Sequence, residues 1–105
     1  MFNLTPRALR FYEEKGLLRT ERNEAGWRSY PPEARRRLDW IARLRAAGIS
    51  LPDIRDVLDA DETSGARAEL ALEKLAAKRE ALARSLDAVE TLKARLGDAR
   101  RPLAA

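Results

Sequence analysis

Apolar residues along this chain change spacing from segment to segment, and each spacing predicts an element. Leu38, Ile41 and Leu44 recur every three residues, which predicts a helix from Pro32 to about Ala47 with one buried face, closed by Gly48. Ile54, Val57 and Leu58 give an apolar side to a short third helix. Ser50 caps that helix, Pro52 suits its first turn, and Asp53 supplies the acid of a capping-box-like start. From Ala66 to Leu96 no Gly or Pro interrupts the pattern, which predicts one long helix. Leu75, Leu82, Val89 and Leu96 recur every seven residues, and Leu72, Arg79, Leu86 and Lys93 do so three residues earlier. A stripe of that period is a coiled-coil seam that needs a partner helix. The alternative for this segment is a helix folded back on its own domain.

The first thirty residues are patterned differently. Thr5-Pro6 predicts a helix start, with Thr as cap and Pro at the first helical position, where a missing N–H costs nothing. The helix runs through Lys15 and stops at Gly16. Leu17–Thr20 and Trp27–Tyr30 flank the polar, Gly-containing stretch Glu21–Gly26, which predicts a small β-hairpin ended by Pro31-Pro32. The fold class is therefore all-α in the main, with one hairpin. Residues 1–58 form the compact unit, 59–65 a joint, 66–96 the long helix and 97–105 a flexible tail.

Charge separates the two halves. Residues 1–58 carry 12 Lys or Arg against 8 Asp or Glu, whereas residues 59–105 carry nine of each. All of the excess positive charge lies in the compact unit, so polyanion binding belongs there if anywhere. The chain has no Cys and no His. Disulfides, thiol redox sensing and zinc sites built on thiolate or imidazole are thereby excluded, and no metal is expected. No cofactor-binding Gly motif, paired carboxylates or activated nucleophile is apparent, so no catalytic residue is assigned and an enzyme is not expected. No apolar run approaches a membrane span, which points to a cytoplasmic protein.

A helix bearing basic residues, followed by a hairpin bearing Arg and aromatics, suits DNA. The helix fits the roughly 12 Å major groove, and hairpin side chains reach phosphates beside it. Arg7 and Arg10 lie three apart on the helix, with Tyr12 near its end, while Arg22, Arg28 and Tyr30 surround Gly26. The other reading makes Phe11, Trp27 and Tyr30 core aromatics and leaves the arginines merely solvated. The residues alone leave both open.

The segment Thr5-Pro6-Arg7-Ala8-Leu9-Arg10-Phe11-Tyr12-Glu13, followed by Gly16-Leu17-Leu18, resembles the recognition-helix motif of MerR-family transcriptional regulators. Arg22–Tyr30 resembles their wing, with Trp27 where the family usually has Tyr. Leu38–Leu58 is similar to the helix pair behind that wing, and the terminal helix takes the place of the dimerisation coil. The resemblance implies a winged helix-turn-helix domain in a homodimer whose long helices pair antiparallel. Such a dimer binds inverted-repeat promoter elements in double-stranded DNA, bends and untwists the DNA between them, and works with RNA polymerase at the promoter. It also implies DNA contacts from Thr5, Arg7, Arg10 and Tyr12 on the helix, and from Arg22, Arg28 and Tyr30 on the wing. Trp27 is expected to pack rather than touch DNA. Leu72, Leu75, Leu82, Leu86, Val89 and Leu96 are expected to form the dimer seam.

The resemblance has two gaps. Family members carry a short helix before the recognition helix, and here only Met1–Leu4 precede Thr5, so this chain is expected to begin inside a longer product or to be a short form. A short form would favour an alternative function, an interaction module that heterodimerises with a full-length relative and modulates its DNA binding. The second gap follows the coil, where no separate effector domain is expected. An apolar effector, if one exists, would lie between the coil and the Ile49–Leu58 helix.

Overall fold

A computed structural model describes residues 5–22, 24–26 and 28–99. Its elements are α1 (Pro6–Glu14), a hairpin of β1 (Glu21–Arg22) and β2 (Arg28–Ser29), α2 (Pro32–Ala46), α3 (Leu51–Asp59) and α4 (Ala66–Asp98). The mainly helical fold with one small hairpin is the one expected from the spacing, but the first strand falls at Glu21–Arg22, inside the stretch read as the loop, while Leu17 and Leu18 of the expected strand are buried in the core. The readings for Met1–Leu4, Trp27 and residues 100–105 fall outside the described residues.

Helix ends follow from cap chemistry. The Thr5 hydroxyl accepts the Ala8 N–H at 3.1 Å, and the Ser50 hydroxyl accepts the Asp53 N–H at 3.4 Å. Each satisfies one of the donors that a helix start leaves unpaired. α1 and α2 both close on a glycine in the left-handed region, Gly16 at φ 75° and Gly48 at φ 80°. Beyond each glycine the chain folds back: Leu17 N–H reaches Tyr12 O at 2.9 Å, and Ile49 N–H reaches Leu44 O at 3.0 Å. This Schellman closure turns Leu17 and Ile49 inward, where both are buried.

Gly48 is the stricter of the two. A Cβ there would lie 3.1 Å from Cε of Lys78, in addition to the cost of a left-handed L-residue. Gly48→Ala is expected to destabilise the protein by about 1–2 kcal/mol. On a domain of this size each kcal/mol lowers the melting temperature by roughly 4–8 °C, a loss measurable by thermal circular dichroism. An unchanged melting temperature would mean the turn relaxes freely.

The core lies where α2, α3 and the first turns of α4 meet. Leu38, Ile41 and Leu44 of α2 are buried against Ile54, Val57 and Leu58 of α3, with Leu17, Leu18, Ala34, Ile49 and Ala71 completing the cluster. α4 is divided. Arg67 and Ala71 are buried and Leu70, Lys74 and Lys78 half-buried, whereas every described side chain from Arg79 to Asp98 is exposed. The start of α4 thus packs on its own unit, while the rest stands exposed among the described residues. At 33 residues it is about 50 Å long.

Lys74 fastens the packed end, donating to Asp53 at 2.8 Å and lying 3.4 Å from Asp56. The bond from Lys74, and then that from Ser50, hold the Asp53 carboxyl below its ordinary range. The same bond to Asp53 raises Lys74. Asp53, being depressed, stabilises fully above its unfolded value of about 4 and loses that contribution as pH falls through its folded value. Lys74, being raised, stabilises fully below about 10.4 and loses it as pH climbs through its folded value. Docking of α4 on α3 is therefore expected to weaken at both extremes. Lys74→Met should make melting temperature less dependent on pH between about 2 and 5, and an unaltered acid limb would contradict the assignment.

Candidate nucleic-acid interface

α1 meets the body along one side only. Ala8, Leu9, Tyr12 and Glu13 are half-buried, with Leu9 and Tyr12 against the core, whereas Arg7, Arg10, Phe11 and Glu14 are exposed. The open side thus presents two guanidinium groups and a phenyl ring together, lining a shallow groove with Glu14. Phe11 is 40% exposed. Its ring meets Tyr12 edge-on at 5.8 Å, and the Lys15 ammonium sits 5.5 Å from its centroid. A large apolar side chain held on an arginine-bearing face is unusual for a solvated helix, and it places Phe11 outside the core where one reading had put it.

The wing is small. β1 and β2 pair antiparallel, Glu21 opposite Ser29 and Arg22 opposite Arg28. Gly26 takes φ 81° at the turn. Arg22 donates from Nη1 to Gly26 O at 3.0 Å, so this side chain braces the turn while staying exposed. The role expected of the Arg28 side chain lies outside what the structure describes. Tyr30 is half-buried against the core, as is Tyr12, so both expected DNA contacts also pack. At the wing's base the Thr20 hydroxyl donates to Glu13 Oε1 at 2.6 Å, linking wing to α1.

What holds α1 in place is a set of arginines that the sequence patterns do not single out. Arg37 of α2 donates from Nε to Leu17 O at 2.8 Å, and Arg55 of α3 donates to Lys15 O. Both carbonyls belong to the turn leaving α1. Arg67, at the start of α4, donates to Leu58 O at 2.8 Å and Ala60 O at 3.2 Å. No local motif marks these residues, because the acceptors of Arg37 and Arg55 lie 20 and 40 positions away in the chain.

Along α4, Leu72, Leu75, Leu82, Leu86, Val89 and Leu96 stand 37–66% exposed, and Leu92 joins them at 56%. Leu92 escapes a strict heptad count. It sits three residues after Val89 and four before Leu96, and widens the stripe to a face lined by Val89, Leu92, Lys93 and Leu96. The place expected for an apolar effector, between α3 and α4, is a groove of about 480 Å³ whose lining is mixed, with Asp53, Lys74 and Lys78 beside Ile49 and Ala77. Among the described residues no cluster of acidic, His or Cys side chains is arranged to hold a metal, and no helix is long and apolar enough to cross a membrane.

A cationic helix beside a braced hairpin, both resting on a core that continues into a long helix with an open apolar face, defines a winged-helix regulator. Two family models match the chain: MerR HTH family regulatory protein over residues 1–61, and MerR, DNA binding over residues 35–99. The chain belongs to the MerR family. It is 39% identical over 77 residues to the HTH-type transcriptional regulator CueR of Vibrio cholerae, covering 69% of this chain and 55% of that one. Identity to the nodulation protein NolA of Bradyrhizobium diazoefficiens is 44% over 57 residues, covering 53% of this chain and 24% of that one. To ZntR of Escherichia coli, another HTH-type transcriptional regulator, it is 37% over 59 residues, covering 55% and 42%. The chain therefore spans between a quarter and about half the length of these relatives. A crystal structure of a MerR family transcriptional regulator from Listeria monocytogenes superposes with a TM-score of 0.67 at 26% identity, covering 95% of this chain and 80% of that one.

Proposed function

We propose that this chain is a cytoplasmic, non-enzymatic transcriptional regulator that binds inverted-repeat promoter DNA as a homodimer. The observation that carries this reading is the open side of α1, where Arg7, Arg10 and Phe11 stand together while the opposite side rests on the core. In the major groove that side meets base edges, with Arg7 and Arg10 as donors and Phe11 as an apolar surface suited to thymine methyl groups. Thr5, Tyr12 and Tyr30 are half a step back from the groove and contribute from the helix start, the inner side of α1 and the foot of the wing. Arg22 and Arg28 at the wing engage phosphates, which fixes register without reading sequence.

The second half of the reading is the dimer. Exposed leucines in a continuous stripe signal a missing surface. An antiparallel pairing that sets Leu82 of one copy opposite Leu86 of the other aligns Leu72 with Leu96. The same register sets Arg79 opposite Val89 of the second copy, one residue from its Glu90, and Lys93 opposite its Leu75, two residues from its Glu73, so both long cationic side chains on the seam can snorkel toward an acid. Two wings on one rigid dimer then impose the bend and untwisting expected between half-sites, at a promoter shared with RNA polymerase. Selection from a random duplex pool, followed by gel shift, tests the reading. Recovery of an inverted repeat supports it. Failure to retain any duplex, together with capture of a longer MerR-family chain, would favour the heterodimerising module instead.

A further inference from the structure

Two arginines from different helices end on one carbonyl. Arg67, at the start of α4 and only 6% exposed, donates from Nη2 to Leu58 O at 2.8 Å, and Arg37 donates from Nη1 to the same oxygen at 3.3 Å. Arg37 spends its Nε on Leu17 O at 2.8 Å, in the turn leaving α1. A planar guanidinium reaches two carbonyls from separate nitrogens in a fixed fork, whereas a lysine ammonium presents all its donors from one nitrogen and does not reproduce that spacing. The path is therefore short and continuous: α4, Arg67, Leu58 O, Arg37, Leu17 O, α1. Burial and then the nearby Arg67 charge lower the Arg37 pKa, as expected for two cations crowded on one acceptor. Nη1 of Arg67 has no hydrogen-bond partner among the described residues, and Glu62 lies 3.5 Å away as a counter-charge.

This path adds to the other anchors of α1 among the described residues, of which the Thr20 bond to Glu13 is one. Leu9 and Tyr12 lean on the core, Leu17 is buried, and Arg55 binds Lys15 O. A displacement of α4 relative to α3 pulls on the Leu58–Ala60 carbonyls, and Arg37 passes that pull to the residue that sets the exit angle of α1. We infer that Arg37 and Arg67 are positioning residues that tie the orientation of α1 to that of α4, so that the state of the long helix is felt at the DNA-facing side. The inference rests on the proposed DNA-binding role of α1.

The test is a double-mutant cycle on the full chain with Arg37→Lys, Arg67→Lys and the pair. The probes are a duplex selected by the wild-type protein and a scrambled duplex of equal length and composition. Each single change keeps the positive charge, so it should weaken the selected duplex by about tenfold and leave the scrambled one within about twofold. The double variant should be no weaker than either single, because one break interrupts the whole path. Additive losses, or equal losses on both duplexes, overturn the inference. Hydrogen exchange separates this failure from failure of the DNA reading. In Arg67→Lys, and independently in Arg37→Lys, exchange at the Leu17 and Leu18 amides should quicken while that at Ile41 and Leu44 holds steady. That pattern sustains the coupling even if no duplex is selected, and a uniform change at all four amides overturns it.

Discussion

Replacing Leu82 and Leu86 together with Asp is expected to convert a dimer into a monomer. Both side chains lie on the part of α4 that packs on nothing among the described residues, 54% and 58% exposed respectively. Covering a leucine is worth roughly 1.5–3 kcal/mol, and in a symmetric pair each substitution is felt twice. The same change also sets carboxylates against each other across the seam, where burying an unpaired charge is costly. A second effect should accompany dissociation. A solitary helix of some 20 exposed residues is marginal in water, so the far end of α4 should fray and the helical circular dichroism signal should fall. Sedimentation velocity decides the first effect and far-ultraviolet spectra the second. Arg84→Asp, off the seam on the same stretch, serves as the control and should remain dimeric. A double-Asp variant that still sediments as a dimer would mean that some other surface joins the copies.

How much of this was legible in the sequence depends on the range of the interaction. Helix limits were legible because they are local: Thr5 and Ser50 each cap within three residues, and Gly16 and Gly48 close their helices within two. The long helix was legible too, but not its division at Lys78. The heptad pattern is the same on both sides of that point, and only the presence of α3 distinguishes the half that has a neighbour from the half that lacks one. Aromatic side chains were the least legible. Phe11, Tyr12 and Tyr30 are similar in size and polarity to a pattern, yet the first faces out and the other two pack on the core. Turning by 100° per residue puts Phe11 beside Arg7 and Arg10 rather than beside Leu9, and that phase was available without the structure. The arginines on carbonyls were not available. A buried carbonyl left over at a helix end must find a donor, but which of the chain's 21 Lys and Arg side chains supplies it is a matter of tertiary geometry.

The contrast between wing and helix arginines gives the other large effect, and it separates affinity from specificity. Arg22 and Arg28 stand opposite each other in the ladder near the turn at Gly26. If they meet phosphates, removing either should lower the slope of log affinity against log salt by about 1 and weaken all duplexes alike. Arg22 carries an additional expectation, because its bond to Gly26 O braces the turn. Arg22→Ala should therefore weaken binding more than Arg28→Ala for the same change in salt slope, and Arg22→Lys should restore the slope but only part of the affinity. Arg7 stands on the open side of α1, so Arg7→Ala should cost about 1–3 kcal/mol on the selected duplex if it reads a base edge. On a scrambled duplex its loss should be far smaller. Titrations of the four variants against both duplexes at several salt concentrations supply all of these comparisons. A wing substitution that leaves the salt slope untouched would remove the wing from the interface. Equal loss on both duplexes for Arg7→Ala would move that residue from base reading to the phosphate backbone, leaving Arg10 and Phe11 to carry the sequence preference.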